Sequence, residues 1–534
     1  MKKLRQVAAL SLVSSLVLSA CGSGSDDPKP TDSAAGGSAA TASAKPKLEL
    51  KWFINAPNNS QLPAADLDFV KQAIDQKFNV DLKIEHMAAG ADYTSKMNLK
   101  LSSGDTPDMF IATGVDSQKY IQDGVVADMT PYVTQQTMPN YFKYWVTQEE
   151  LKRYQIEKVF KRAPLPFAKT QYQSYYVRKD WLDKLGLKMP ETYEDMLTVM
   201  RAFANQDPDG NGKKDTYGYT AAGASTSIPR DFPQFANNGL IAAFMLEGDS
   251  FVDVGSDIRI GKSLDDLKKL LAENVVDPDW FVNKAGQQLE KAQQGKVGMV
   301  YTGTREFAFD NHPSSIQQKT KEITGVQTVD WQPFNPWAKT GVFSEALPGN
   351  PFLFGVKTSP DKIKRSVEIL DWLFSQEGYL MTHYGIENKH YKKTGNKIEV
   401  IPDAFKKDIT DQGSFLNIYG SFTPANDYGL IGLELADSRE TDRDRKILEK
   451  LKTYKYIPSI GTNVATPAGV NLSDFRKQMN QFHVNIVFDE KDASNWPKYR
   501  QEIMTKYGGK QIFESYAEQI SAAQGKTYKF KAEN

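Results

Sequence analysis

The chain has 534 residues, and its 66 basic and 66 acidic side chains give a formal net charge of zero. Because nucleic-acid recognition needs a basic surface, this balance argues against nucleic acid as a partner. The length exceeds what one hydrophobic core supports and predicts two or more domains or lobes. Cys21 is the only cysteine, which excludes a disulfide framework and a thiolate metal site.

The first 21 residues have the pattern of an export signal. Basic residues at Lys2, Lys3 and Arg5 precede an apolar run that is too short to cross a bilayer comfortably. The run ends in LSAC, which resembles the lipobox of bacterial lipoproteins, where the cysteine becomes the first mature residue and carries lipid on its thiol and its amine. The resemblance implies a lipidated Cys21. The alternative is an ordinary signal peptide whose leftover cysteine has no role.

Residues 22–47 are small, polar and dotted with proline, and they contain no aromatic side chain. Such a composition is typical of a flexible tether. A lipid-bearing N-terminus followed by a tether would hold the globular part close to the outer face of the cell membrane. No later apolar run is long enough to cross a bilayer.

From Leu48 onward the hydrophobic pattern alternates between strand and helix periods. The expected helix over 64–78 places Leu67, Val70, Ile74 and Phe78 on one face. Short joins between alternating elements are typical of a mainly parallel sheet in an α/β domain. The other elements expected in this region are a strand over 48–54, a strand over 80–87, a helix ending near Gly104 and a strand after Pro107.

Five segments resemble the bacterial extracellular solute-binding proteins, which are the receptors of ABC importers. They occur in the order that this family keeps and extend over most of the chain. The match is similar to the branch of lipoproteins that includes the alginate-binding proteins. The segments are KLSSGDTPDMFIA (100–112), YVRKDWLDKLGLKMPETYEDM (176–196), LLAENVVDPDWF (270–281), AQQGKVGMVY (292–301) and ILDWLFSQEGYLMTHYGIENKHY (369–391).

The resemblance implies an α/β fold of the periplasmic-binding-protein type, with two lobes joined by crossing strands and a ligand cleft between them. Mapped onto this chain, the first lobe takes 48–165 and 300–355, and the second takes 166–299 and 356–534. The implied function is a lipid-anchored, monomeric receptor that captures a carbohydrate, most simply an oligosaccharide, and delivers it to ABC permease subunits. Uronates and peptides remain open as ligands.

The sequence DPDGNGKKD has the spacing of a calcium loop. Gly212 at the sixth position allows the sharp turn, whereas Gly218 stands where an EF-hand has its bidentate glutamate, so further ligands must come from water or a distant carboxylate. The resemblance implies a structural calcium ion here, and the alternative is an Asx-rich surface turn. The candidate oxygen donors are the side chains of Asp207, Asp209, Asn211 and Asp215 and the main chain of Lys213.

No catalytic constellation is found in the sequence. None of the five histidines has zinc spacing, and His383 and His390 flank a turn that they are expected to stabilise. The glycines before Lys262 miss the phosphate-loop spacing, and Ser263 is expected to cap a helix. We therefore expect no enzyme activity. A secreted polysaccharide-degrading enzyme and a sensor or adhesion protein that shares the fold without a transporter are the alternatives.

In a two-lobe receptor, the cleft is lined by loops at the carboxyl ends of strands, by the crossing segments and by aromatic side chains. The aromatic candidates would stack on sugar rings, while Asn55 and Arg305 would form hydrogen bonds. Each aromatic candidate could instead be a loop anchor or a core residue. The proline-containing segment DWQPFNPWAKTG is expected to be a loop. The predicted ligand contacts are Trp52 and Asn55 on one wall, Tyr175 on the other, Tyr301 and Arg305, and Trp331 and Trp337 in that segment.

Overall fold

The structure is a computed structural model, and the chain divides after Pro46 into two units, of which the second, Lys47–Asn534, is treated below. The predicted signal peptide, Cys21 and nearly all of the tether lie outside the described residues. No described helix is both long and apolar enough to cross a membrane. The structure describes residues 46–57, 60–88, 90–155, 160–169, 172–312, 314–341, 350–437, 439–455, 457, 460 and 464–532.

Strands and helices alternate in the first third of the described chain, and helices dominate its last third. The strands are β1 (Leu48–Asn55), β2 (Val80–Met87), β3 (Met109–Ile111), β4 (Ala163–Pro164), β5 (Ser174–Arg178), β6 (Phe244–Glu247), β7 (Ser250–Asp253), β8 (Met299–Thr302), β9 (Trp331–Phe334), β10 (Pro351–Phe354), β11 (Tyr391–Thr394), β12 (Lys397–Val400), β13 (Glu434–Ala436) and β14 (Lys529–Phe530).

The helices are α1 (Phe69–Phe78), α2 (Ala91–Ser103), α3 (Gly114–Gln122), α4 (Gln148–Lys152), α5 (Lys179–Lys184), α6 (Tyr193–Asn205), α7 (Pro233–Asn237), α8 (Ile260–Ala272), α9 (Gln287–Gln293), α10 (Ile316–Thr324), α11 (Pro360–Leu373), α12 (Gln376–His383), α13 (Pro402–Phe405), α14 (Leu416–Tyr419), α15 (Asp442–Lys452), α16 (Leu472–Phe488), α17 (Trp496–Thr505) and α18 (Gly509–Gln524). Short 3-10 turns cover Val254–Ser256, Gly420–Phe422, Tyr428–Ile431 and Ala493–Asn495, and π turns cover Tyr141–Trp145 and Lys406–Thr410.

The first sheet has five strands in the order β2-β1-β3-β10-β4. β1 lies parallel to both β2 and β3, whereas β10 runs antiparallel to β3 and β4. The interior of β1 is apolar on both faces, and Trp52, Phe53 and Ile54 are all buried, as expected for a strand with neighbours on both sides. The predicted strands over 48–54 and 80–87 are confirmed.

The second sheet is built around β5. β5 pairs antiparallel with β8 on one side and β9 on the other, so that Tyr175 lies opposite both Tyr301 and Phe334. Single parallel bridges from Tyr217 to Val297 and from Tyr219 to Val276 extend the sheet beyond β8. Two smaller sheets, β14-β7-β6 and β11-β12-β13, complete the described strands.

Two large apolar cores accompany these sheets, and we call the parts around them the first and second lobe. The packing divides the chain differently from the predicted boundaries. Residues 299–334 belong with the second sheet, because β8 and β9 both hydrogen-bond to β5. Residues 363–433 contribute to the first core: the Ser366 hydroxyl of α11 accepts a hydrogen bond of 3.2 Å from Trp52 Nε1. Helices α16 to α18 supply the second core.

Two local expectations about where helices begin are corrected. Helix α1 begins only at Phe69, because the Asp68 carboxylate accepts a hydrogen bond from the Lys71 main-chain N–H and caps the helix. Leu67 therefore precedes the helix and is exposed. Ser263 is not a helix cap: it lies inside α8, where its hydroxyl donates to the main-chain oxygen of Arg259.

Candidate functional site

Two sheet edges meet at the segments that join the lobes. β4 runs parallel to β3 and ends at Pro164 on the carboxyl edge of the first sheet, and the chain then enters β5 at Ser174. β9 ends at Phe334, and the chain then enters β10 at Pro351. Because both connections join the same pair of edges, these edges face each other. Ligands of open α/β sheets bind outside the carboxyl ends of strands, so a ligand is expected to bind here.

The first-lobe edge carries Asn55 as predicted from the sequence. Asn55 ends β1 opposite Met87, the last residue of β2, and it is partly buried. The next residue, Ala56, donates its N–H to the Met87 main-chain oxygen at 2.8 Å, which fixes the end of the strand. Burial lowers the pKa of the neighbouring His86, so this imidazole is neutral at pH 7. The first-lobe edge is therefore polar and uncharged at these positions.

The second-lobe edge carries a group of aromatic rings around Tyr175. The buried Tyr175 ring lies 4.9 Å from the ring centre of Tyr301 and 6.1 Å from that of Trp337. Trp337 in turn lies 6.2 Å from Tyr193, at the start of α6. Tyr301, Trp337 and Tyr193 are each partly exposed. They present ring faces or edges of the kind that pack against apolar faces of sugars.

A carboxyl group lies next to these rings. The hydroxyls of Tyr175 and Tyr219 both donate to the main-chain oxygen of Asp231, at 2.9 and 2.8 Å, and this fixes the residue. Its side-chain oxygen Oδ1 is buried and has no hydrogen-bond partner among the residues that the structure describes. Burial raises the pKa of the Asp231 carboxyl to about 7. Native proteins rarely leave such an acceptor unpaired.

Two amide side chains also have buried polar atoms without a hydrogen-bond partner among the described residues. Asn335 accepts a hydrogen bond from the Trp337 main-chain N–H at 2.9 Å through Oδ1, while its Nδ2 is buried without a partner in the described part of the chain. Gln234 is fully buried near Tyr193, and neither polar atom of its amide makes a hydrogen bond of good geometry with a described residue. We call Tyr193, Asp231, Gln234, Tyr301, Asn335 and Trp337 the second-lobe wall.

Three of the predicted aromatic contacts are inside the lobes. Trp52 is 2% exposed and packs edge-on against Phe422. Trp331 is fully buried, and its Nε1 donates to the Thr320 hydroxyl; it opens strand β9, whereas the sequence suggested a loop. Tyr175 is 2% exposed and supports the exposed rings from below. The structure thus assigns these three side chains to packing, and of the seven candidates it leaves Asn55, Tyr301 and Trp337 accessible.

Arg305 lies at the junction of the lobes and is already paired. Its guanidinium contacts the Glu440 carboxylate at 2.6 Å, and both side chains are less than a tenth exposed. Burial by itself would lower the pKa of Arg305, but the neighbouring Tyr428 and Glu440 outweigh that effect and raise it. Glu440 belongs to the segment through which the chain returns from the first lobe to α15. The pair joins two chain segments, and the predicted role of Arg305 in ligand binding stays a prediction.

The sequence interpretation missed four residues of the second-lobe wall. Asn335 lies in the same segment as the candidates Trp331 and Trp337, and its polar side chain beside them in the sequence could have identified it. Tyr193 and Gln234 lie in helices, and Asp231 lies in a connecting turn. Only the pairing of distant strands brings these three residues to one edge.

The predicted calcium loop is folded around its acidic side chains. The Asp207 carboxylate accepts hydrogen bonds from the main-chain N–H groups of Gly210, Asn211 and Gly212, each at 3.0 Å. The Asn211 amide nitrogen donates to Asp209 at 2.8 Å and to Asp215 at 3.1 Å. Asn211 thereby bridges two carboxylates.

The electrostatics of this loop suit a cation. The Gly212 N–H holds the pKa of Asp207 below its usual range, whereas burial and the neighbouring Asp207 and Asp215 raise the pKa of Asp209. Hard oxygen donors crowded in this way are the ligands that Ca²⁺ prefers. In the described chain, this loop included, no group of three or more histidine, cysteine or acidic side chains has the geometry of a metal site. The loop thus supplies oxygen donors of the type that calcium prefers, while the Asn211 side-chain oxygen accepts from the Lys213 main-chain N–H at 2.7 Å, and calcium binding here stays a prediction.

The two histidines that flank the turn at 384–389 have structural partners. His390 accepts a hydrogen bond from the Ile386 main-chain N–H through Nδ1 at 2.9 Å. His383 pairs with the Thr423 hydroxyl at 2.8 Å, and burial lowers its pKa to about 3. Both imidazoles are therefore neutral structural groups at pH 7, as expected for His390 from the sequence.

Comparison with protein families matches residues 69–387 to the family described as bacterial extracellular solute-binding protein. Three relatives are similar over much of the chain. The polygalacturonan/rhamnogalacturonan-binding protein YtcQ of Bacillus subtilis (strain 168) is 26% identical over 371 residues, which cover 68% of this chain and 70% of YtcQ. Lipoprotein LipO of the same organism is 22% identical over 473 residues, or 86% of this chain and 90% of LipO.

The third relative is the fructooligosaccharide ABC transporter substrate-binding protein FusA of Streptococcus pneumoniae, 26% identical over 325 residues, which cover 56% of this chain and 58% of FusA. Among solved structures, an HMO-binding, ABC-transporter-associated solute-binding protein from Bifidobacterium longum infantis has a TM-score of 0.66 at 15% identity and covers 90% of this chain and 99% of its own. Alginate-binding protein AlgQ2 has a TM-score of 0.64 at 16% identity, covering 90% and 98%. At these identities the likeness shows a shared fold.

Proposed function

The chain belongs to the bacterial extracellular solute-binding protein family, and on that premise we propose that it captures an oligosaccharide between its lobes and delivers it to an ABC permease. The observation that carries this proposal is the second-lobe wall. Partly exposed rings of Tyr193, Tyr301 and Trp337 lie beside polar groups of Asp231 and Asn335 that lack partners among the described residues.

A sugar matches this wall in both of its chemical parts. The C–H face of a pyranose or furanose ring packs on an aromatic ring, and its hydroxyls both donate and accept hydrogen bonds. An acceptor at Asp231 and a donor at Asn335 could therefore be satisfied by neighbouring hydroxyls of one sugar unit. Asn55 on the opposite edge supplies a further amide, so that one ligand would contact both lobes.

The relatives support the proposed class of ligand. YtcQ and FusA are named for binding polysaccharide or oligosaccharide chains, and both are binding proteins. The name of LipO supports a lipoprotein, which fits the predicted lipidation of Cys21 and attachment to the outer face of the cell membrane. We further propose that the protein acts as a monomer, that a structural calcium ion occupies the loop at 207–215, and that the protein catalyses no reaction.

A thermal-shift screen tests the proposed function. Exported protein carrying Cys21→Ser, so that it stays in aqueous solution, is heated with panels of oligosaccharides and of short peptides. Because a ligand that binds only the folded state stabilises it, at least one oligosaccharide is expected to raise the Tm, by an amount that grows with its concentration. Trp337→Ala serves as the variant and Trp181→Phe, buried far from the cleft edge, as the control. Stabilisation by peptides and by no sugar would reject the proposal.

A further inference from the structure

The second-lobe wall has a charge that discriminates among carbohydrates. Asp231 is an acid in the wall itself. Its main-chain oxygen accepts hydrogen bonds from the Tyr175 and Tyr219 hydroxyls, and its buried side-chain oxygen Oδ1 has no hydrogen-bond partner among the described residues. Burial raises the pKa of its carboxyl group, and the main-chain N–H groups of Asp231 and Phe232 only partly oppose this effect. A ligand group that contacts Asp231 Oδ1 must therefore donate a hydrogen bond and must not carry a negative charge.

Two arginines near wall residues in the sequence are used elsewhere, whereas Lys339, two residues after Trp337, is exposed. Arg230, the preceding residue, donates to the main-chain oxygen of Ala242 and feels the charge of Asp253. Arg305, which follows β8, is paired with Glu440. Tyr175 and Tyr219 present hydroxyls whose pKa burial raises well above the usual value, so they stay neutral.

From this arrangement we infer that the sugar unit held against Trp337 is a neutral, hydroxyl-bearing residue whose hydroxyl donates to Asp231 Oδ1, and that the wall rejects uronates. The inference rests on the proposed function and adds to it the class of carbohydrate. It separates the chain from a receptor for polyuronates, although one of its relatives is named for polygalacturonan. A uronate carboxylate near Asp231 would meet like charge at short distance in a partly buried site.

Asn335 strengthens the same conclusion. Its Oδ1 accepts from the Trp337 main-chain N–H, and its Nδ2 donor is buried without a partner among the described residues. A sugar hydroxyl can accept from Asn335 and donate to Asp231, whereas a carboxylate can only accept. The wall therefore offers one acceptor and one donor, and the hydroxyls of a neutral sugar unit satisfy both.

The test compares matched ligands at pH 8, where Asp231 is ionised. Binding of trigalacturonate and trimannuronate is measured by calorimetry beside α-1,4-galactotriose, β-1,4-mannotriose and the fructan trisaccharide 1-kestose. Galactotriose and mannotriose replace each carboxylate of the uronates by a CH₂OH group. The tightest ligand is expected to be neutral, with each uronate weaker than its neutral counterpart by about tenfold or more.

Asp231→Asn removes the charge at nearly constant shape. It is expected to weaken the neutral ligand by about tenfold or more and to strengthen binding of the uronates, and a gain of affinity cannot come from misfolding. Asp253→Glu, a buried acid outside the wall, serves as a control for general damage. A uronate that binds as tightly as the best neutral sugar, including one held by the exposed Lys339 two residues after Trp337, overturns the inference. Unchanged affinities in Asp231→Asn overturn it as well.

The result also separates this inference from the proposed function. Tight binding of a uronate would leave oligosaccharide capture intact and reject only the neutral class. Absence of binding by every sugar, together with stabilisation by peptides in the thermal-shift screen, would reject both.

Discussion

Trp52 and Trp337 show how the same side chain takes different roles at the two sheet edges. Trp52 points into the first core, where its Nε1 donates to Ser366. Trp337 follows the end of β9 and stays partly exposed beside Tyr175. A position near a strand end in the sequence predicts proximity to the cleft for both. Only the packing of α11 on β1 decides that Trp52 is covered.

Substitution should separate these roles. Trp52→Ala is expected to lower the free energy of unfolding by about 3 to 5 kcal/mol, because it empties a well-packed core. Trp337→Ala is expected to leave the unfolding free energy nearly unchanged and to weaken oligosaccharide binding by about 1 to 3 kcal/mol, by analogy with the stacking of bases on aromatic rings. Urea denaturation and calorimetry measure the two effects, with Trp52→Phe as the conservative control. The assignment fails if Trp52→Ala is as stable as the wild type.

The Asp231 carboxyl predicts a pH dependence of binding. Its pKa of about 7 in the free protein is raised by burial. A sugar hydroxyl that donates to the carboxylate favours the ionised form, so binding releases a proton and lowers this pKa. Affinity should therefore be highest above pH 7.5 and fall by up to about tenfold per pH unit below pH 7. Titrations from pH 5.5 to 8.5 check this, and Asp231→Asn should show a flat profile. An affinity that rises toward pH 5.5 would contradict the assignment.

At the scale of elements, local pattern predicted the strands and helices of the first 110 residues well. β1, β2 and α2 lie where the alternation and the glycine at Gly104 placed them. β9 was missed because its proline suggested a loop. Pro333 is tolerated since β9 is the outer strand of the described β8-β5-β9 ladder, where one missing N–H costs no internal hydrogen bond. Whether a strand lies at the edge of a sheet depends on its pairing with strands that are distant in the sequence. The sequence of the strand alone therefore does not predict it.

The loop at 207–215 predicts a response to calcium. Calcium should bind between Asp207, Asp209 and Asp215 and relieve their mutual repulsion, so a chelator should lower the Tm while leaving the fold intact. Asp209→Asn combined with Asp215→Asn should abolish the response, while Asp249→Asn, an exposed acid paired with Lys526, should retain it. Differential scanning calorimetry with and without EDTA measures this. An Asx turn without metal would show equal Tm values in both conditions.

The Arg305–Glu440 pair predicts a stabilising role at the junction of the lobes. Because both side chains are buried, removing one leaves an unpaired buried charge, and Arg305→Ala should lower the free energy of unfolding by about 3 to 5 kcal/mol. A double-mutant cycle with Glu440→Gln, measured by urea denaturation, gives the coupling energy. The exposed pair of Arg445 and Asp442 provides the control, since exposed pairs contribute about 0 to 1 kcal/mol. Wild-type stability with weakened sugar binding would instead return Arg305 to the ligand site.

At the scale of the whole molecule, the resemblance of five short motifs predicted the family and the α/β class. The lobe boundaries depend on contacts between distant residues. β10 pairs with β3 although more than 200 residues separate them in the sequence, and α11 then packs beside β1. Such pairings leave no periodicity within any one segment. The second-lobe wall is assembled from α6, α7 and the turn before it, β8 and the residues after β9. For the same reason it could be predicted only in part.

The central claim is that one oligosaccharide contacts both lobes, and small-angle X-ray scattering tests it most directly. A ligand shifts a protein between conformations only by its differential affinity for them, so a sugar that bridges Asn55 and the second-lobe wall favours a closed arrangement. With the neutral oligosaccharide that raises the Tm most, the radius of gyration should fall at saturation, and Trp337→Ala should need more sugar to reach the same value. A radius of gyration unchanged at saturation would contradict capture between the lobes.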